Sequence, residues 1–176
     1  TQTGQPELFY MNQGMVDRIF LMEGYTPLGL SRFIPPMDTW DRTCDLMNAR
    51  YRIVVDHVKG TMTVAEARGY APRAFVVHRA YVAASPKEAM ARISDPGFDP
   101  MSEAVFETAP PVLYADSSRH PSSVTIESYG LNRIRMSAQS GADGYLVMSE
   151  VWYPGWKAFV DGVETPVLQA DWCLRA

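Results

Sequence analysis

The period of the apolar positions changes along the chain, and each change marks an element. Early on the pattern is mixed: Leu8 to Met11 suits a short strand, and Gly24-Tyr25-Thr26-Pro27-Leu28-Gly29 reads as a loop. Pro35-Pro36 imposes an extended entry, after which Asp38 or Thr39 can cap a helix running to about Asn48. Trp40, Cys44 and Met47 fall on one face of that helix. The β-branched run Tyr51-Arg52-Ile53-Val54-Val55 predicts a strand, and polar residues 56–72 a loop or a short hairpin. Residues 73–83, with Phe75-Val76-Val77, read as one strand. Ser85 as N-cap, Pro86 at the first helical position and Glu88 closing a capping box then start a helix carrying Ala89, Met90 and Ile93. It ends before Pro96, the turn Asp95-Pro96-Gly97-Phe98-Asp99-Pro100 follows, and residues 102–107 return as a strand. Strand, helix and strand make a crossover unit.

Prolines Pro110, Pro111 and Pro121 make residues 108–121 a linker or a long surface loop. Beyond Ser122 the alternation has period two: Val124 to Tyr129, then Arg133 to Ala138 with Ile134, Met136 and Ala138 on one face. Tyr145 to Glu150 reads as a buried strand. Asp161-Gly162 between Val160 and Val163 signals a two-residue hairpin turn with positive φ at both positions. Residues 167–174 are apolar enough for one further strand, expected as a bare edge that invites pairing with a second copy. The expected class is α+β: a strand–helix–strand N-terminal part over residues 1–110, and a mainly antiparallel β-sandwich over residues 122–176, packed as one unit.

The chain has 176 residues, 47% hydrophobic and 20% charged, which suits a folded domain rather than disorder. Its net charge is −4 and it has no basic run, which argues against nucleic acid and against adsorption to an anionic membrane surface. No apolar run approaches the roughly 18 residues that span a bilayer, and residues 1–7 are too polar for a signal peptide. Thr1 in place of Met, and the abrupt stop at Ala176, suggest a piece of a longer protein.

Candidate chemistry is sparse. Cys44 and Cys173 lie far apart without a CxxC, which favours two separate buried thiols over a zinc site. His57, His78 and His120 sit on three separate elements without ligand spacing, and structural or surface roles are expected for them. No serine has a G-x-S-x-G context, and no glycine-rich phosphate loop precedes a helix. Asp95 and Asp99 are better explained as turn caps than as a carboxylate pair. No catalytic residue, metal ligand or cofactor is implied. Trp152, Tyr153 and Trp156 around Pro154-Gly155 are the candidate carbohydrate-binding residues, because aromatic rings with polar tips stack on sugars. The competing reading, that they pin a bend into the core, is favoured for residues this large.

An ordered series of motifs carries a resemblance over nearly the whole chain. Tyr145-Leu146-Val147-Met148-Ser149-Glu150-Val151-Trp152-Tyr153-Pro154-Gly155-Trp156-Lys157-Ala158-Phe159-Val160-Asp161-Gly162 resembles the segment near the C-terminus of YfhO-like bacterial membrane proteins. Gly24-Tyr25-Thr26-Pro27-Leu28, Leu46-Met47-Asn48-Ala49-Arg50-Tyr51, Pro72-Arg73-Ala74-Phe75 and the turn from Asp95 to Pro100 resemble further segments of that family. The family's usual continuation beyond the last strand is missing. The resemblance implies a parent with many membrane helices, similar to glycosyltransferases that use polyprenyl-phosphate sugars. This chain would be its soluble domain on the extracytoplasmic face of the bacterial cell membrane. The acidic residues such transferases carry in a membrane loop are not in this chain, so the domain is expected to be non-catalytic. Its expected partners are a cell-envelope glycan acceptor that it positions, the rest of the parent, and a second copy through a strand edge. The alternative is a free-standing carbohydrate-binding or adhesion module of the cell envelope.

Overall fold

The computed structural model describes residues 30–67, 69–116, 118 and 120–176, of which 32–176 belong to one unit. The strand expected at residues 8–11 and the loop at 24–29 lie outside the described residues. Helix α1 (Trp40–Leu46) starts where the Thr39 side chain accepts the Arg42 N–H at 3.2 Å, and it stops before Asn48 at φ 59°. The Asn48 side-chain amide then donates to the Ala71 carbonyl at 2.6 Å, anchoring the helix end. Strands β1 (Tyr51–Asp56) and β2 (Thr61–Glu66) form an antiparallel hairpin, so the polar stretch after residue 56 is its turn and return arm.

The remaining strands in chain order are β3 (Ala74–Val77), β4 (Ala80–Val82), β5 (Ala104–Phe106), β6 (Ser122–Tyr129), β7 (Ile134–Ser140), β8 (Tyr145–Val151), β9 (Ala158–Val160), β10 (Val163–Thr165), β11 (Gln169–Ala170) and β12 (Leu174–Arg175). Six of them form a mixed sheet in the order β3-β8-β12-β11-β5-β4. Residues 73–83, read from sequence as one strand, are therefore two strands at opposite ends of that order. Only His78 and Arg79 link them, and a chain advances at most about 3.6 Å per residue. The two ends of the sheet must meet at that corner, so the sheet curls round on itself. The break has a local cause: the His78 ring accommodates the Asp143 carbonyl, and Arg79 bridges to Ala115 instead of continuing β3.

Strands β4 and β5 run parallel, joined by helix α2 (Pro86–Ser94) as the crossover. The Ser85 hydroxyl accepts the Glu88 N–H at 3.2 Å. The returning Glu88 carboxylate takes the Ala84 N–H, one residue before the cap, together with the Tyr81 hydroxyl at 2.6 Å. Inside the curl Phe75, Val77, Phe106, Tyr145, Val147, Ala170 and Leu174 pack as one cluster, closed at one side by Leu46 of α1. On the other face of β5, Val105 packs with Ala83, Ala89, Ile93 and Phe98 beneath α2. Each large aliphatic or aromatic chain so buried stabilises the fold by about 1.5–3 kcal/mol.

The C-terminal part is strand-rich and mainly antiparallel, and the fold is α+β. Strands β8, β11 and β12 share the sheet with strands from residues 74–106, while β6–β7 and β9–β10 are separate two-stranded ribbons. Asp161 at φ 50° and Gly162 at φ 84° turn β9 into β10, as the residue pair requires. Residues 167–174 differ from the single bare edge strand expected. Asp171 at φ 46° and Trp172 at φ 75° fold them into the β11–β12 turn, which places Ala170 opposite Leu174. Strand β12 also pairs with β8, and β11 with β5, so both sides are occupied. A two-way clamp holds the turn: Asp171 N–H donates to the Val105 carbonyl, and Asp171 Oδ1 accepts the Val105 N–H, each at 2.8 Å.

The described residues between 108 and 121 are mostly exposed, although Pro110 is buried, and residues 112–114 are pinned. Ala80 N–H donates to the Tyr114 carbonyl at 2.9 Å, and the Tyr145 hydroxyl joins the Val112 carbonyl to the Tyr114 N–H.

Candidate functional site

Strand β8 lies between β3 and β12, and this order decides which side chains meet. Glu150, near the end of β8, is flanked by Arg73 on the residue before β3 and by Arg175 on β12. Arg73 Nη1 lies 2.6 Å from Glu150 Oε1, and Arg175 Nη2 3.9 Å from Oε2. The Tyr129 hydroxyl, from the end of β6, donates to the same carboxylate. Arg73 also sits over the Tyr129 ring, 5.5 Å from its centroid. Burial, then the hydrogen bond to Glu150 and its charge, push the Tyr129 phenol up to about 12. Burial lowers the pKa of Arg175, which remains a cation.

The three aromatic residues singled out from sequence take three different positions beside this cluster. Trp156 meets it directly, its ring lying 4.2 Å from the Arg175 guanidinium. Tyr153 is 55% exposed and presents its ring to solvent. Trp152 is tied inward: its N–H donates to the Cys173 carbonyl at 2.6 Å and its indole N–H to the Val167 carbonyl at 3.3 Å. Trp152 therefore fits the bend-pinning role, whereas Trp156 and Tyr153 flank the surface side of the bend. Gly155, at φ 103°, supplies the reversal between them. Among the described residues no ring contact joins Trp152, Tyr153 and Trp156 to one another, so they are not one stacked platform. The geometry instead offers an aromatic face next to a guanidinium–carboxylate–phenol network, a set that can stack on a sugar ring and hydrogen-bond its hydroxyls.

Sequence reasoning missed Glu150, Arg73, Arg175 and Tyr129. The available signal was a charge within or next to an otherwise apolar strand, as with Glu150 after Val147-Met148 and Arg175 after Leu174.

Other reactive side chains are committed elsewhere. Cys44 and Cys173 are buried and no disulfide joins them. Burial, reinforced by the Asp171 charge, raises the Cys173 thiol to about 12, the opposite of an activated nucleophile. Asp95 and Asp99 cap their turn, taking the N–H groups of Gly97 at 2.6 Å and Met101 at 3.0 Å. Glu103 is buried between Arg79, at 2.9 Å, and Arg92. Of the histidines, His57 is exposed at the β1–β2 turn, but His78 and His120 do not stand apart as expected: the fold brings their ring centroids to 4.9 Å. Among the described residues no group of three or more His, Cys, Asp or Glu is placed to hold a metal ion. No helix among them is long and apolar enough to cross a membrane. No family model, curated protein or solved structure matches the chain.

Proposed function

We propose that this chain is a non-catalytic, glycan-facing domain on the extracytoplasmic side of a bacterial cell membrane, part of a multi-spanning protein resembling the YfhO-like family. In this reading the parent handles polyprenyl-phosphate sugars, and the domain positions a cell-envelope glycan acceptor. The observation that carries the proposal is Trp156 held under Arg175 beside the Glu150–Arg73 pair, with exposed Tyr153 on the same connection. A sugar needs an apolar ring face to stack on and planar charged groups for its hydroxyls, and these residues supply both. The carboxylate is a hydrogen-bonding group rather than a general base here, since its Oε1 already accepts from both Tyr129 and Arg73 and its Oε2 faces the Arg175 guanidinium.

The test is a titration of soluble cell-envelope glycan fragments against the chain and its Tyr153→Ala and Trp156→Ala variants, with circular dichroism on each. Saturable binding that falls at least tenfold in both variants, with the fold retained, is expected. Tyr153 is exposed, so binding unchanged in Tyr153→Ala, or no binding by the parent chain, overturns the reading.

A further inference from the structure

His78 lies at the corner where the curled sheet meets itself, and His120 in the segment pinned alongside it. His78 is 4% exposed. Its Nδ1 lies 2.9 Å from the Asp143 carbonyl oxygen, which can only accept. The proton of the neutral ring is therefore on Nδ1, and Nε2 carries a lone pair. That Nε2 is fully buried and has no hydrogen-bond partner. Buried polar atoms without a partner are rare, and each needs a physical reason.

His120 has the complementary arrangement. Its Nε2 lies 2.7 Å from Asp116 Oδ2. The Asp116 carboxylate is the acceptor in this contact, and its other oxygen, Oδ1, accepts the Ser118 N–H at 2.7 Å. Nε2 of His120 is then the protonated nitrogen, and Nδ1 is left with the lone pair. Both rings thus donate one N–H to an oxygen and keep one basic nitrogen, the outer arrangement that orients metal-bound imidazoles.

The ring spacing agrees. A metal–nitrogen bond of about 2.0–2.1 Å puts each ring centroid about 3.2 Å from a shared ion. Two imidazoles on one ion are then about 4.5 Å apart, centroid to centroid, at a right angle, and about 5.2 Å at a tetrahedral angle. The observed separation is 4.9 Å, with the rings inclined at 80°. The backbone is shaped around the pair as well. A Cβ on Gly144 would lie 2.9 Å from His78 Nδ1 and 2.4 Å from the Val77 carbonyl oxygen, so only glycine lets the β7–β8 turn close over the ring.

We propose that His78 Nε2 and His120 Nδ1 together bind a divalent first-row transition-metal ion, with Asp143 O and Asp116 as their outer-shell partners. Imidazole favours zinc, copper or nickel over magnesium or calcium. With two protein ligands the ion keeps water or an external ligand in its other positions. His120, whose side chain is 29% exposed, provides the open side. Binding displaces water from the ion.

The test is a Zn²⁺ titration of the full chain followed by imidazole ¹H–¹⁵N correlation spectra, with affinities measured for the chain, His120→Asn and His57→Asn. Before metal, His78 should show the Nδ1–H tautomer and His120 the Nε2–H tautomer. Zinc should then shift His78 Nε2 and His120 Nδ1 together and saturably. His120→Asn, on a partly exposed side chain, should lose at least tenfold in affinity, and His57→Asn should bind as the parent does. No shift at millimolar zinc, a shift confined to one ring or to His57, or full affinity in His120→Asn would overturn the proposal.

Discussion

Asp171 sits at the tightest turn of the sheet with a carboxyl group fully removed from water. Oδ1 accepts the Val105 N–H, while Oδ2 is buried without a partner. Burial raises this group to about 7, against the pull of the Val105 hydrogen bond, and the charge of Glu103 adds to the rise. The native state therefore holds its proton over a range where the unfolded chain, titrating near 3.8, has released it. Stability is highest below about pH 4 as far as this group is concerned. It falls as pH rises towards 7, with a limiting slope of about 1.4 kcal/mol per pH unit, and then levels. Asp171→Asn keeps the acceptor for Val105 and tolerates the left-handed backbone. Urea midpoints across pH 4–8 should therefore fall for the parent and be flatter for the variant. Parallel curves would show that Asp171 does not titrate in this range.

The β9–β10 hairpin and helix α2 are elements whose ends are written locally. Gly162 has open space around its missing Cβ, so a side chain there meets no neighbour, only the penalty of φ 84°. Gly162→Val should cost about 1–2 kcal/mol, seen as a lower urea midpoint, and an unchanged midpoint would mean the turn does not constrain the hairpin. Ser85, Pro86 and Glu88 likewise announce α2, because caps act within four residues. Elements that depend on distant partners were much less legible. Nothing within residues 73–83 says that His78-Arg79 divides two strands, since the division is imposed by Asp143 and Ala115. The turn at Asp171-Trp172 was hidden for the same reason: tryptophan at φ 75° runs against local preference, and the turn is held through Asp171 by Val105 on the neighbouring strand β5, which is distant in sequence. At the site, aromatic content marked Trp156 and Tyr153, but the charged and phenolic groups of the cluster that Trp156 meets converge from the residue before β3 and from β6, β8 and β12. Their meeting is a property of strand order.

At the scale of the whole molecule, β12 is short yet lies in the interior of the six-stranded order, and Leu174 is among its fully buried side chains. Leu174→Ala should cost about 2–5 kcal/mol, because β8 and β11 on either side limit collapse into the cavity. Thermal melts read this directly, and a loss under 1 kcal/mol would mean the centre of the sheet is loosely packed. The insertion of β11 and β12 between β5 and β8 also sets an order of events. A ribosome delivers residues 74–151 first, but these cannot assemble the sheet, because the two strands that join its halves come after residue 168. Their closing contacts, such as Ala170 with Phe106, span long stretches of chain and form slowly. The nascent chain therefore waits with its apolar strands uncovered, and its greatest exposure to proteases and to aggregation falls in the interval before residues 169–175 dock.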